Sequence, residues 1–203
     1  MMKIKITGLL LFLTFLTAIN PAGAKAMNES SEKATFAGGC FWGMEKYFSK
    51  IPGVISTRVG YTGGTVKNPS YERVCTGTTG HAEAIEITYD PETLRYEDLV
   101  EFFFRHHDPT TLDRQGPDVG SQYRSAIFTH SPEQAAIAQK AKNVLDQAGI
   151  FKHPIVTEIV PAKEFYSAED YHQKYLEKNP GGYCSLQVQS KKIGEVLKAA
   201  WGK

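Results

Sequence analysis

Residues 83–88 alternate with a period of two. Glu83, Ile85 and Ile87 fall on one face, Ala84, Glu86 and Thr88 on the other. That pattern predicts a strand, with a glutamate in phase with side chains that should point inward. Residues 54–61 and 155–160, rich in β-branched side chains, also read as strands. So do residues 122–129, where Tyr123, Ser125 and Ile127 share a face, and Thr35-Phe36-Ala37 closes a shorter one. Helical spacing takes over after Cys40, with Phe41, Met44, Tyr47 and Phe48 on one stripe before Pro52. It returns over residues 96–107, where Leu99, Phe102, Phe103 and His106 align. The clearest helix is capped by Ser131, takes Pro132 at its first position, is given a capping box by Gln134 and ends at Gly149. Its apolar stripe is Ile137, Ala141, Val144, Leu145 and Ala148. Ser167 is expected to cap a short helix ending near Asn179-Pro180. Short strands mixed with amphipathic helices predict one α+β domain, a two-layer α/β sandwich with a mixed sheet and an irregular C-terminal segment.

The first 26 residues stand apart. A basic start, Met1-Met2-Lys3-Ile4-Lys5, precedes an apolar run, and Asn20-Pro21 then gives way to Ala22-Gly23-Ala24-Lys25-Ala26. This is the layout of a secretory signal, with cleavage expected after Ala24 or Ala26. The apolar run is shorter than the roughly 20 residues of a membrane span. Residues 27–203 then form the functional domain, with 28–32 as a loose leader. Removing the signal takes three lysines and no acidic residue, turning a formal charge of +1 into −2. Neither a nucleic-acid-binding stripe nor, once the signal is cleaved, a membrane-binding surface is expected. The exported protein is expected in a periplasm or secreted, and as a monomer.

Three cysteines, Cys40, Cys75 and Cys184, make no disulfide framework, and no C-x-x-C is present. In an oxidising compartment two of them could still pair. Cys40 lies between Gly38-Gly39 and the helix that opens at Phe41. There, unpaired backbone N–H groups and the macrodipole favour an anion, so its thiol is expected to ionise easily and act as a nucleophile. The alternative is a buried structural cysteine. Glu83, if it faces inward, should keep its proton and could donate it; the alternative is a sheet-edge glutamate that reaches solvent. His106-His107 beside Asp108 do not predict a metal site, because adjacent helical side chains diverge by about 100°; packed histidines are expected.

Gly39-Cys40-Phe41-Trp42-Gly43, Gly60-Tyr61-Thr62-Gly63-Gly64, Gly80-His81-Ala82-Glu83, Gln122-Tyr123-Arg124-Ser125 and Asn179-Pro180-Gly181-Gly182-Tyr183-Cys184 together resemble the signature segments of the peptide methionine sulfoxide reductase A family. The resemblance runs from Ala34 to Cys184 in the family's order. It implies reduction of the S epimer of methionine sulfoxide, free or in proteins, as oxidative repair. Carried onto this sequence, it implies that Cys40 is the nucleophile and Glu83 the acid. Tyr71 and Tyr123 would be hydrogen-bond donors to the sulfoxide oxygen, Asp118 an orienting carboxylate, and Phe41 and Trp42 the walls of a methyl pocket. Cys184 would resolve the Cys40 sulfenic acid as a disulfide. A thioredoxin-like reductant would reopen that bond, with neither metal nor bound cofactor. The tail after Cys184 lacks the further cysteine of some members, which implies a two-cysteine cycle and leaves Cys75 non-catalytic. No second, R-epimer module is expected on the chain.

Two other readings compete. In one, Cys40 is the nucleophile of an exported hydrolase with His81, His106 or His107 as its base. In the other, Cys40 and Cys184 form a permanent staple in a binding domain.

Overall fold

The computed structural model describes residues 30–202 apart from 185 and 187; the expected signal lies outside them. In chain order the elements are β1 (Glu32–Gly38), α1 (Phe41–Phe48), β2 (Val54–Thr62), α2 (Tyr71–Cys75), β3 (Ala82–Tyr89), α3 (Tyr96–Arg105), β4 (Arg114–Gln115), β5 (Asp118–Val119), β6 (Ser125–Thr129), α4 (Pro132–Gln147), β7 (Glu158–Pro161), β8 (Tyr166–Ser167), α5 (Tyr175–Lys178) and α6 (Lys192–Trp201). Six strands make one sheet in the order β7-β6-β1-β3-β2-β8. β6 and β7 run parallel and the other neighbours antiparallel. This is the mixed sheet of the expected α+β sandwich.

β3 sits near the middle of that sheet, and its alternation is used as the pattern predicts. Ile85 and Ile87 join the larger core with Phe36, Phe48, Leu99, Phe103, Phe104 and Leu145. Phe36 stacks between Phe48 and Phe103, with ring centroids 5.4 and 5.1 Å away. Each such ring, fully buried, stabilises the fold by ~1.5–3 kcal/mol. The opposite face carries Ala37, Ala82, Ala84 and Ala126. Val160 of β7, Ala162 and Phe165 pack against these small side chains. A third cluster of Phe41, Val59, Tyr61, Val74 and Ala168 underlies the site.

Several local expectations are corrected. In α1, Tyr47 is 37% exposed and leaves the buried stripe. Glu45 is buried instead, accepting from Thr57 Oγ1 at 3.1 Å and from the Lys174 N–H. β1 already begins at Glu32, the last residue of the expected leader. Residues 71–75 turn into a short helix because Ser70 caps the Arg73 N–H. The strand expected over 122–129 starts only at Ser125. Tyr123 lies in a 3-10 turn, Ser121–Tyr123, which Arg124 clamps by donating to Ser121 O and Gly80 O. The strand expected from residue 155 starts at Glu158, because the N–H groups of Ile155 and Val156 go to Asp146 and Pro109 instead of a neighbouring strand. Ser167 does not cap a helix; it pairs with Gly60 in the sheet. Gln134 accepts the His130 N–H rather than that of the cap residue, and Ala148 is exposed. The tail is not irregular throughout: α6 buries Ile193 and Leu197 completely.

Candidate active site

Cys40 is the residue before α1, and the turn that delivers it passes through Gly39 at φ +98°, a conformation that suits glycine. Its side chain opens into a cavity of about 130 Å³ lined by Cys40, Phe41, Trp42, Tyr71, Glu83, Asp118, Tyr123 and Tyr183. Seven of the eight side chains singled out in the sequence therefore meet in one place. They come from α1 and the residue before it, α2, β3, β5 and the turn before β6. A larger hollow of about 360 Å³ beside Phe128 and Val160 gathers no comparable set of reactive groups.

Glu83 is 2% exposed and stands opposite Tyr61 in the β2–β3 register. The backbone N–H of Phe41 donates to its Oε2 at 3.1 Å. Burial pushes this carboxyl up to about 8; the Phe41 N–H pulls the other way, and nearby Asp118 adds to the rise. Glu83 is thus a protonated acid at neutral pH, and the solvent-reaching alternative is excluded.

The expectation for Cys40 is reversed. The N–H groups of Trp42 and Gly43 do favour its thiolate, but burial first and the Glu83 carboxylate second raise the thiol well above its usual range. Desolvation outweighs the helix terminus. The resting site holds two protons, one on sulfur and one on carboxyl.

The two phenols are also held as donors. Burial, then Cys75, raises Tyr71; burial, then Glu83, raises Tyr123. Tyr71 is aimed by its backbone, whose N–H donates to Glu169 Oε1 at 2.9 Å, while Glu169 Oε2 accepts from Tyr61 Oη at 2.9 Å. Asp118 Oδ1 accepts from Tyr183 Oη at 3.0 Å. Its Oδ2 is buried with no hydrogen-bond partner among the described residues.

Trp42 stacks on Tyr175 at 3.8 Å between centroids. Its Nε1–H donates to Nδ1 of His172 at 3.0 Å. Burial lowers the His172 pKa, so the ring stays neutral and Nδ1 can accept. The same imidazole lies 5.1 Å from the Phe41 ring and 4.5 Å from Tyr71. Sequence reasoning missed Glu169, His172, Tyr175 and Tyr183. The available signal was a dense run of acidic, aromatic and histidine side chains over residues 169–175, which fits neither period.

Cys184 is the one expected site residue outside the cavity. Its sulfur rests against α1, 2.9 Å from where a Cβ on Gly43 would stand. Cys40, Cys75 and Cys184 are all free thiols in this structure, which holds no Cys40–Cys184 staple. The hydrolase reading fails. His81 is engaged by Gly64 N–H and Val66 O, His106 by Phe102 O, and His107 by Phe103 O and Ser125 Oγ. None of the three lines the cavity. Among the described residues, no group of three or more His, Cys, Asp or Glu side chains could hold a metal ion.

The family model described as peptide methionine sulfoxide reductase matches residues 32–203. A relative from Methanoculleus marisnigri, named peptide methionine sulfoxide reductase MsrA, is 56% identical over 159 residues, covering 78% of this chain and 97% of its own. The crystal structure of Mxr1 from Saccharomyces cerevisiae in reduced form is similar at TM-score 0.73 and 40% identity, over 79% of this chain and 93% of that one. Mxr1 in complex with Trx2 matches at TM-score 0.53 and 26% identity, over 79% of this chain and 91% of that chain.

Proposed function

The chain belongs to the peptide methionine sulfoxide reductase family, and we propose that Cys40 attacks the sulfoxide sulfur while Glu83 hands its proton to the sulfoxide oxygen. The protein is an oxidoreductase that reduces methionine sulfoxide by thiol chemistry. The observation that carries the division of roles is the protonated, buried Glu83 fastened to the residue next to Cys40. A sulfoxide oxygen leaves sulfur only once it is protonated, so the acid must stand beside the nucleophile.

The step balances on these two groups. The S–O bond breaks, the oxygen passes to Cys40 as a sulfenic acid, and methionine is released. The thiol proton replaces the one that Glu83 gave. Sulfur of the substrate is reduced and the Cys40 sulfur oxidised. Tyr71 and Tyr123 donate hydrogen bonds to the oxygen as charge develops on it, and Asp118 orients the cavity. Phe41 and Trp42 enclose the substrate's methyl group, and the S epimer is the substrate that the resemblance of the signature segments implies. Cys184 then condenses with the sulfenic acid, releasing water and forming a Cys40–Cys184 disulfide. A thioredoxin-like dithiol reopens that bond by exchange; the solved complex of Mxr1 with Trx2 supports such a partner. Thiols alone carry all the electrons, so no metal or bound cofactor is needed. The basic start, apolar run and small-residue cleavage sites of residues 1–26 support export to a periplasm or the medium.

A single-turnover experiment tests this reading. The reduced mature protein is mixed with excess S-sulfoxide peptide and no reductant, and products are followed by mass spectrometry. One methionine per enzyme and a Cys40–Cys184 bond are expected. No methionine would sink the reading; methionine without that bond would remove Cys184 from it.

A further inference from the structure

We propose that Gly43 is the seat of the resolving thiol, an empty position on α1 that holds Cys184 one helical turn from Cys40. The proposal rests on the reading of Cys184 as the residue that condenses with the Cys40 sulfenic acid. Cys40 caps α1 and Gly43 lies in its first turn, with an N–H that favours the Cys40 thiolate, so a sulfur resting on Gly43 lies alongside the end of α1 where Cys40 stands. A Cβ at position 43 would come within 2.9 Å of both Cys184 Sγ and Leu186 Cδ1, closer than a real Cβ tolerates.

Backbone conformation does not call for glycine here. Gly43 lies inside a helix and is not among the glycines with positive φ; alanine would suit a helix better. What the position needs is room. The tail has little freedom to yield that room elsewhere. Leu186 packs on the main core, Gln189 N–H donates to Arg105 O at 2.8 Å, and Tyr183 Oη is held by Asp118. With both flanks of Cys184 tethered, a methyl group on residue 43 must push the thiol and the Leu186 side chain off α1 together. Gly43 is therefore a positioning residue for the second chemical step. It leaves the first step to the cavity, because its substitution keeps the N–H that faces Cys40.

Gly43→Ala separates the two steps. The reduced protein is mixed with S-sulfoxide peptide, and methionine, the Cys40–Cys184 disulfide and a dimedone adduct of Cys40 are timed by quenched mass spectrometry. Methionine in the first turnover should form within about twofold of the wild-type rate, while the disulfide forms roughly tenfold or more slowly and the dimedone adduct accumulates. Disulfide formation at the wild-type rate in Gly43→Ala overturns the proposal, as does an equal slowing of both steps. A wild-type protein that releases methionine but never forms the Cys40–Cys184 bond overturns the reading beneath it, a distinguishable failure. Should Gly43→Ala not fold, Leu186→Ala serves. It adds no bulk to α1 but removes the tail's anchor beside the seat, and must also slow disulfide formation relative to methionine release; a wild-type ratio of the two rates overturns the proposal.

Discussion

The backbone N–H of Phe41 donates to Glu83 Oε2 at 3.1 Å, and Phe41 follows Cys40 directly. Acid and nucleophile are thereby linked through a single peptide unit and one hydrogen bond to the Glu83 carboxyl. The proton that Glu83 gives is present below its raised value of about 8 and lost above it. We expect kcat/KM for the methionine-releasing step to fall as pH rises through that value. Glu83→Gln, which can donate a hydrogen bond but not a proton, should lose about 10²–10⁴-fold and lose that limb of the pH profile. A variant with an unchanged profile would show that the titrating acid is another group.

The same carboxyl makes the fold sensitive to pH. Below the ordinary value of 4.5 both folded and unfolded chains hold the proton. Between 4.5 and about 8 the unfolded chain ionises while the folded one keeps its proton, so stability falls as pH rises and levels off above that window. Glu83→Gln escapes this loss. Its melting temperature by calorimetry should exceed that of the wild type by a margin that widens with pH across the window. A margin that stays constant would mean that Glu83 is not buried with its proton.

How far the site could be read beforehand depended on range. The Glu83 phase and the Gly-Gly-Cys turn are local, and β3 and α1 use them as their spacing indicates. The acidity of Cys40 is not local. Its helix terminus can be read from adjacent residues, but the burial and the Glu83 charge that outweigh it come from elements distant in sequence. Tyr123 obeyed alternation on paper and left the strand because Arg124 found acceptors on Ser121 and Gly80. α6 has a legible pair in Ile193 and Leu197, yet its place depends on the core that α3 and α4 leave open. Glu169 and His172 act on the cavity through residues 98 and 130 positions away, a relation no period encodes.

His172 sets the angle of the Trp42 wall by accepting its Nε1–H at 3.0 Å. His172→Phe keeps an aromatic ring but leaves that donor without its acceptor, a penalty of about 1–3 kcal/mol that is partly offset because the buried, unpartnered Nε2 of His172 is removed as well. The expected signature is a raised KM for sulfoxide peptide with a smaller change in single-turnover kcat, because Cys40 and Glu83 are untouched. A drop confined to kcat would assign His172 to the chemistry instead of the wall.

Gly60 holds the opposite side of the site in place. A Cβ there would meet the carbonyl oxygen of Tyr166, a backbone atom that cannot swing aside. Gly60 and Tyr61 pair with Ser167 and Tyr166, and the chain then runs on through Glu169 and His172 to Tyr175. Gly60→Ala should therefore part β8 from β2, with an overpacking loss of about 1–3 kcal/mol. The displaced segment carries the carboxylate that aims Tyr71 and the rings behind Phe41 and Trp42, so kcat/KM for methionine release should fall with stability. Hydrogen exchange checks the cause directly: the Ala168 N–H, which donates to Val59 O at 3.0 Å, should lose protection in the variant while the β1–β3 amides keep theirs. Uniform loss across the sheet would mean global destabilisation rather than a parted edge.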